Sequence, residues 1–208
     1  MLRATIATFP LVTGGGVVVK CPRPFCGHKE NARMENATAV SLDIYREIFR
    51  YMLSKGVSRL IHNDSKDHAC VLIEELLHYA ESEILIFCRN LGPDVWGTPT
   101  VISALGDALG RKVKVKVLLQ EDPEGGDGNR ALALLRANGV EVRRTHNTEV
   151  KANFIVIDNK AYRLEKDVEN RRGYACANDA ENASGLASAF ADLEGDSEPV
   201  ADHHEAAK

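Results

Sequence analysis

Ile84-Leu85-Ile86-Phe87-Cys88 is an unbroken apolar run of five residues. It reads as a strand covered on both faces, because a half-exposed strand alternates and a helix needs more residues. Before it, Asn63-Asp64-Ser65 offers capping side chains, and Val71, Leu72, Leu76, Leu77 and Tyr79 carry a helix to Ser82. After it, Gly92-Pro93 makes a turn, and Thr98 with Pro99 at the first position opens a helix over 98–109. Lys112 to Leu119 is the next strand, Gly125–Gly128 a loop, and 129–138 a helix closed by Asn138-Gly139. Val140-Glu141-Val142-Arg143 is a third strand.

Further out, Ser41 is read as the cap of a helix through Ile44, Ile48, Tyr51 and Met52 that Gly56 ends. Asn153–Asp158 and Lys160–Glu165 form a hairpin around Asn159-Lys160, Tyr174–Ala177 a last strand, and 180–193 a last helix. Strands alternating with helices of this length predict an α/β fold with a mixed, largely parallel sheet covered by helices on both faces. Residues 1–33, with Gly14-Gly15-Gly16 and three of the seven prolines, lack this patterning and read as an irregular N-terminal arm or an over-long start. Residues 34–195 are the domain. Residues 196–208 read as a disordered acidic tail, since 191–208 hold six acids against one base.

Within the hairpin, Lys151-Ala152-Asn153-Phe154-Ile155-Val156-Ile157-Asp158 carries the main chemical signal. Its spacing resembles the signature of the phospholipase D superfamily, in which His, one residue, Lys, four residues and Asp lie on a strand. Lys151 stands at the His position, Asn153 at the Lys position and Asp158 at the Asp position. The element order over residues 58–195 is also similar to one half-domain of that superfamily, including Ala177-Asn178-Asp179 before the last helix. The resemblance implies a phospholipase D-like sandwich, and a homodimer that pairs two motif strands about a twofold axis. It also implies that the motif His forms a phosphohistidine in the family. Lys and Asn cannot take that role, because an ordinary lysine, with a pKa of ~10.4, is protonated at neutral pH. What survives is a cation, an amide and a carboxylate suited to an anion. The other reading of the three is two solvent-facing strand residues and a turn residue.

His146, five residues before Lys151, is a substitute nucleophile or base by this reading, or a solvated loop residue. Asp64 and His68, with His62, belong either to a helix N-terminus or to a ligand site at the strand ends. Lys112, Lys114 and Lys116 line one face of a strand. With Arg143, Arg144 and Lys151 they make either a phosphate-tracking stripe or a guarded sheet margin. Aromatic residues are 6% of the chain, which gives no support to a base-stacking platform.

The remaining features mainly exclude. Cys21, Cys26 and His28 are too few for a zinc site, so neither metal nor cofactor is expected. No run nears the ~18 apolar residues of a membrane span, and Thr5, Thr8 and Pro10 interrupt any signal-peptide core. Five cysteines at irregular spacing predict a reduced, cytoplasmic chain. A net charge of −4 argues against a generic nucleic-acid coat. The expected function is therefore a degenerate phospholipase D-like domain that binds nucleic acid or another phosphate-bearing ligand, in a bacterial defence or mobile-element setting. The alternatives are an active phosphodiesterase or nuclease with altered residues, and a Rossmann-like nucleotide sensor.

Overall fold

The computed structural model describes residues 30–201 except Thr148. Among the described residues there are five α-helices. These are α1 (Glu30–Lys55), α2 (Lys66–Tyr79), α3 (Pro99–Gly110), α4 (Arg130–Ala137) and α5 (Ala180–Gly195). Ser65 caps α2 by accepting from the His68 N–H at 3.2 Å, and Asn129 caps α4 by accepting from the Leu132 N–H at 3.0 Å. Gly56, at φ 61°, ends α1 in the left-handed region that glycine enters freely.

The strands are β1 (Leu60–Asn63), β2 (Glu83–Cys88), β3 (Lys114–Leu119), β4 (Val142–Thr145), β5 (Asn153–Ile157), β6 (Ala161–Asp167), β7 (Arg172–Cys176) and β8 (Ser197–Pro199). They form one mixed sheet in the order β1-β7-β6-β5-β2-β3-β4-β8. Asp158 and Asn159, both at φ 51°, make the primed-type turn that joins β5 to β6. Alternation along β2 splits the core in two. Ile84, Ile86 and Cys88 pack with α1 to α4, while Leu85 and Phe87 pack with Phe154, Val156 and Phe190 of α5 on the other face.

Four features differ from the sequence expectations. The parallel part of the sheet is confined to β2-β3-β4, and every other pairing is antiparallel, because β5 to β7 return as a meander. Ser41 lies inside α1 rather than at its cap, since Glu30 to Val40 continues the helix. A strand, β1, fills the gap before α2 and pairs with β7. The start of the acidic tail is ordered: β8 pairs with β4, and the Val200 N–H donates to Val142 O at 2.9 Å. The expectations for residues 1–29, including Cys21, Cys26 and His28, and for residues 202–208 lie outside the described residues. Among the described residues no helix is long and apolar enough to cross a membrane.

Candidate functional site

The C-terminal ends of β2 and β3 and the N-terminal end of β5 meet at one edge of the sheet. A cavity of about 730 Å³ opens there, lined among others by Lys151, Asn153, Arg89, Gln120, Arg163 and Glu165. Ligands gather at this end of parallel strands because the loops diverge there. Of the three motif residues expected to converge, Lys151 and Asn153 line this cavity and Asp158 does not.

Asn153 is nearly buried, and both the oxygen and the nitrogen of its amide are hydrogen-bonded. Its Oδ1 accepts from the Arg89 backbone N–H at 3.0 Å, and its Nδ2 donates to Glu165 Oε1 at 3.0 Å. The second Glu165 oxygen accepts from the Arg163 guanidinium, whose Nε donates to Asn63 Oδ1 at 3.2 Å. Asn63 in turn donates to the backbone carbonyl of Arg171. Arg163 and Glu165 have side chains only 3% exposed, so each depends on the other for its charge to be tolerated. This closed network forms the cavity floor and fixes Asn153 as a positioned amide.

At the mouth, Arg89 pairs with Glu121 at 2.8 Å, and Arg171 pairs with Asp94 at 2.9 Å. Lys151 is exposed and makes no ion pair among the described residues. No His, Ser, Thr or Tyr lines the cavity among the described residues. Cys88 does, but burial pushes its thiol up to about 12, so the nucleophilic thiolate is scarce at neutral pH. Among the described residues no cluster of three or more His, Cys, Asp or Glu is arranged to hold a metal.

The other expected site residues lie elsewhere. Asp158 sits at the opposite end of β5, ~17 Å from Asn153 at the rise of a strand. Its carboxylate accepts from Ser82 Oγ at 2.6 Å and from the backbone N–H groups of Glu81, Ser82 and Glu83. Burial raises its pKa, but these hydrogen bonds outweigh burial and hold it below the ordinary value. Asp158 therefore anchors the turn and does no chemistry at the cavity. His146, exposed beyond β4, is not among the cavity residues. It lies three strands from β5, ~14 Å at the usual spacing. Arg143 donates to Ser197 Oγ and O, and Arg144 pairs with Asp122 and Glu198, so both serve to fasten β8.

Asp64 and His68 stay at the start of α2. His68 Nδ1 lies 3.0 Å from Ser65 Oγ and 3.2 Å from Asp64, and its ring packs on Tyr45. Neither lines the cavity. Lys114 pairs with Glu83 and Lys116 with Glu194, which removes the phosphate-tracking stripe. The residues missed by sequence reasoning are Arg89, Gln120, Arg163 and Glu165. Only the alternation of Arg163 and Glu165 along β6 hinted at them, and it reads as a solvated face.

Solved structures that share this fold include the following three. The phospholipase D family member Nuc from Salmonella typhimurium aligns over 68% of this chain and 95% of its own, with 16% identity and a TM-score of 0.52. NucT from Helicobacter pylori aligns over 68% of this chain and 99% of its own, with 10% identity and a TM-score of 0.53. TrmBL2, an archaeal chromatin protein whose structure shows a novel mode of DNA binding, aligns over 81% of this chain and 66% of its own. Its identity is 15% and its TM-score 0.55. The fold is thus phospholipase D-like. No curated protein matches the sequence. A family model described as Domain of unknown function (DUF7931) matches residues 65–205, and the chain belongs to that family.

Proposed function

We propose that this chain is a non-hydrolytic phospholipase D-like domain that holds a small phosphate-bearing ligand in the cavity at the Lys151 end of β5. The observation that carries the reading is the lining itself. The two motif residues at the cavity are an ammonium with no ion pair and a hydrogen-bonded amide, and among the described residues no imidazole or hydroxyl lines the cavity with them. A phosphate would meet the Lys151 ammonium as a point charge, with Arg89 beside it. The acids of the rim, Glu121, Glu124 and Glu169, disfavour a long polyanion there, so a nucleotide-sized ligand fits better than a nucleic-acid backbone. The volume supports this, since small-molecule sites run ~300–1,000 Å³.

Calorimetric titration with inorganic phosphate and with a 5′-mononucleotide tests the reading. Saturable binding is expected, weakened at least tenfold by Lys151→Glu, because reversing one charge at contact distance exceeds the ~1.4 kcal/mol that a decade requires. Unchanged affinity in Lys151→Glu removes the site. Cleavage of a model phosphodiester that disappears in Lys151→Ala replaces this reading with an active enzyme.

A further inference from the structure

The second face of the sheet is covered by α5, which packs on β2, β4, β5 and β6. Beyond it, towards the β1 edge, that face carries Leu164 and Lys166 of β6, Arg172 and Tyr174 of β7, and Leu60 and His62 of β1. Strand pairing sets these side by side: Leu164 is opposite Tyr174, and Tyr174 is opposite His62. Leu60 is 50% exposed, His62, Lys166 and Arg172 are exposed, and Tyr174 and Leu164 are half-buried. The Tyr174 ring is 6.1 Å from the His62 ring, and the Lys166 ammonium lies 5.5 Å from its centroid. Tyr162 packs beneath it, edge-on at 6.3 Å.

From this arrangement we infer that the β6-β7-β1 face is a docking platform for a single-stranded nucleic acid. Tyr174 and His62 are the stacking surface, and Lys166 and Arg172 are the phosphate contacts. None of the six face residues is acidic. Of the nearby acids, Asp167 stands opposite Arg172 and accepts from the Asn170 N–H and side-chain amide, and Asp179 accepts from the Tyr162 hydroxyl. Six side chains fall short of the ~800 Å² per partner that a stable protein interface buries. One stacked base, by contrast, needs only a supported ring with a cation beside it. A duplex offers no free base face to Tyr174, so single strands are selected. This inference goes beyond the cavity reading and does not depend on it; Lys166 stands where this face meets the cavity rim, and the other platform residues do not line the cavity.

The test is fluorescence anisotropy of the full chain with a short labelled oligothymidylate and its RNA counterpart. Both should bind, with a salt slope near ~−1.4 for two phosphate contacts at ~0.7 each on single strands. Tyr174→Ala should weaken binding about tenfold, within the range of one lost stacking contact. Tyr174→Phe should keep the affinity, and Lys166→Gln should lower the salt slope by ~0.7. Lys151→Glu should leave binding unchanged, which separates this site from the cavity. Equal binding of duplex, wild-type affinity in both Tyr174→Ala and His62→Ala, or a loss that follows Lys151→Glu would each overturn the assignment. So would a concentration-dependent dimer that Tyr174→Ala abolishes, because the face would then belong to a second copy.

Discussion

Glu165→Ala is the substitution that bears hardest on the cavity floor. In the native protein its carboxylate receives the Arg163 guanidinium and the Asn153 amide, and Arg171 Nη1 stands 3.8 Å away. Removing it leaves Arg163, with a side chain 3% exposed, holding a charge answered only by the neutral Asn63 amide. Breaking one partner of such a buried pair costs ~3–5 kcal/mol. That is a large share of a total stability of ~5–15 kcal/mol. In a chain of this size each kcal/mol moves Tm by ~2–4 °C, so a fall of roughly 6–20 °C is expected. Urea unfolding followed by circular dichroism should show a lower midpoint at unchanged slope. Replacing both partners, as Arg163→Met with Glu165→Met, should recover much of the loss, because no charge is then stranded. A cost below ~1 kcal/mol for Glu165→Ala would refute the reasoning, since Arg163 would have found water or another acid.

Asp158→Asn tests the anchor at the far end of β5. Because the folded pKa is depressed, the carboxylate stabilises the fold above its unfolded pKa of ~3.9 and loses that effect as pH falls through the folded value. The variant should be ~1–2 kcal/mol less stable at neutral pH, with the gap closing below about pH 4 in parallel acid-unfolding curves. Asn tolerates the left-handed backbone there, and phosphate binding at the cavity should be unaffected. Gly173→Ala tests the β6–β7 register, because a Cβ at Gly173 would lie 2.9 Å from Glu165 Cα and closer still to the Leu164 carbonyl. A loss of ~1–3 kcal/mol is expected in thermal unfolding.

Much of the architecture was legible where local chemistry and long-range packing agree. Ser65 caps α2, Pro99 opens α3, and the Ile84–Cys88 run is covered on both faces as its composition implies. β1 was not legible, because Leu60-Ile61-His62-Asn63 has no run or alternation of its own and is defined by the open edge of β7. β8 was hidden in acid-rich sequence, since Arg143 and Arg144, more than fifty residues away, supply the partners for Ser197 and Glu198. Strand direction escaped for a related reason. Nothing within β5 tells whether it runs with or against β2.

At the site, Asn153 opens β5 and Lys151 lies two residues before the strand, and both line one cavity. The motif spacing drew in Asp158 as well, although five residues of strand carry that side chain to the opposite edge of the sheet. Arg163 and Glu165 were not legible as site residues, because charge that alternates with Tyr162 and Leu164 is the pattern of a half-exposed strand. The structure buries Arg163 and Glu165 on one face of β6 and Tyr162 on the other, with Leu164 half-buried, which a half-exposed strand would not require.

The function proposed for the cavity is to bind phosphate without breaking its ester bonds. Phosphorus-31 NMR of a model phosphodiester with stoichiometric protein reads binding and cleavage in one sample. With the native chain the diester resonance should shift or broaden, with Lys151→Glu it should regain its free position, and no monoester signal should appear over extended incubation. A monoester resonance that grows with the native chain and is absent with Lys151→Ala, or a diester resonance that the native chain leaves untouched, would contradict it.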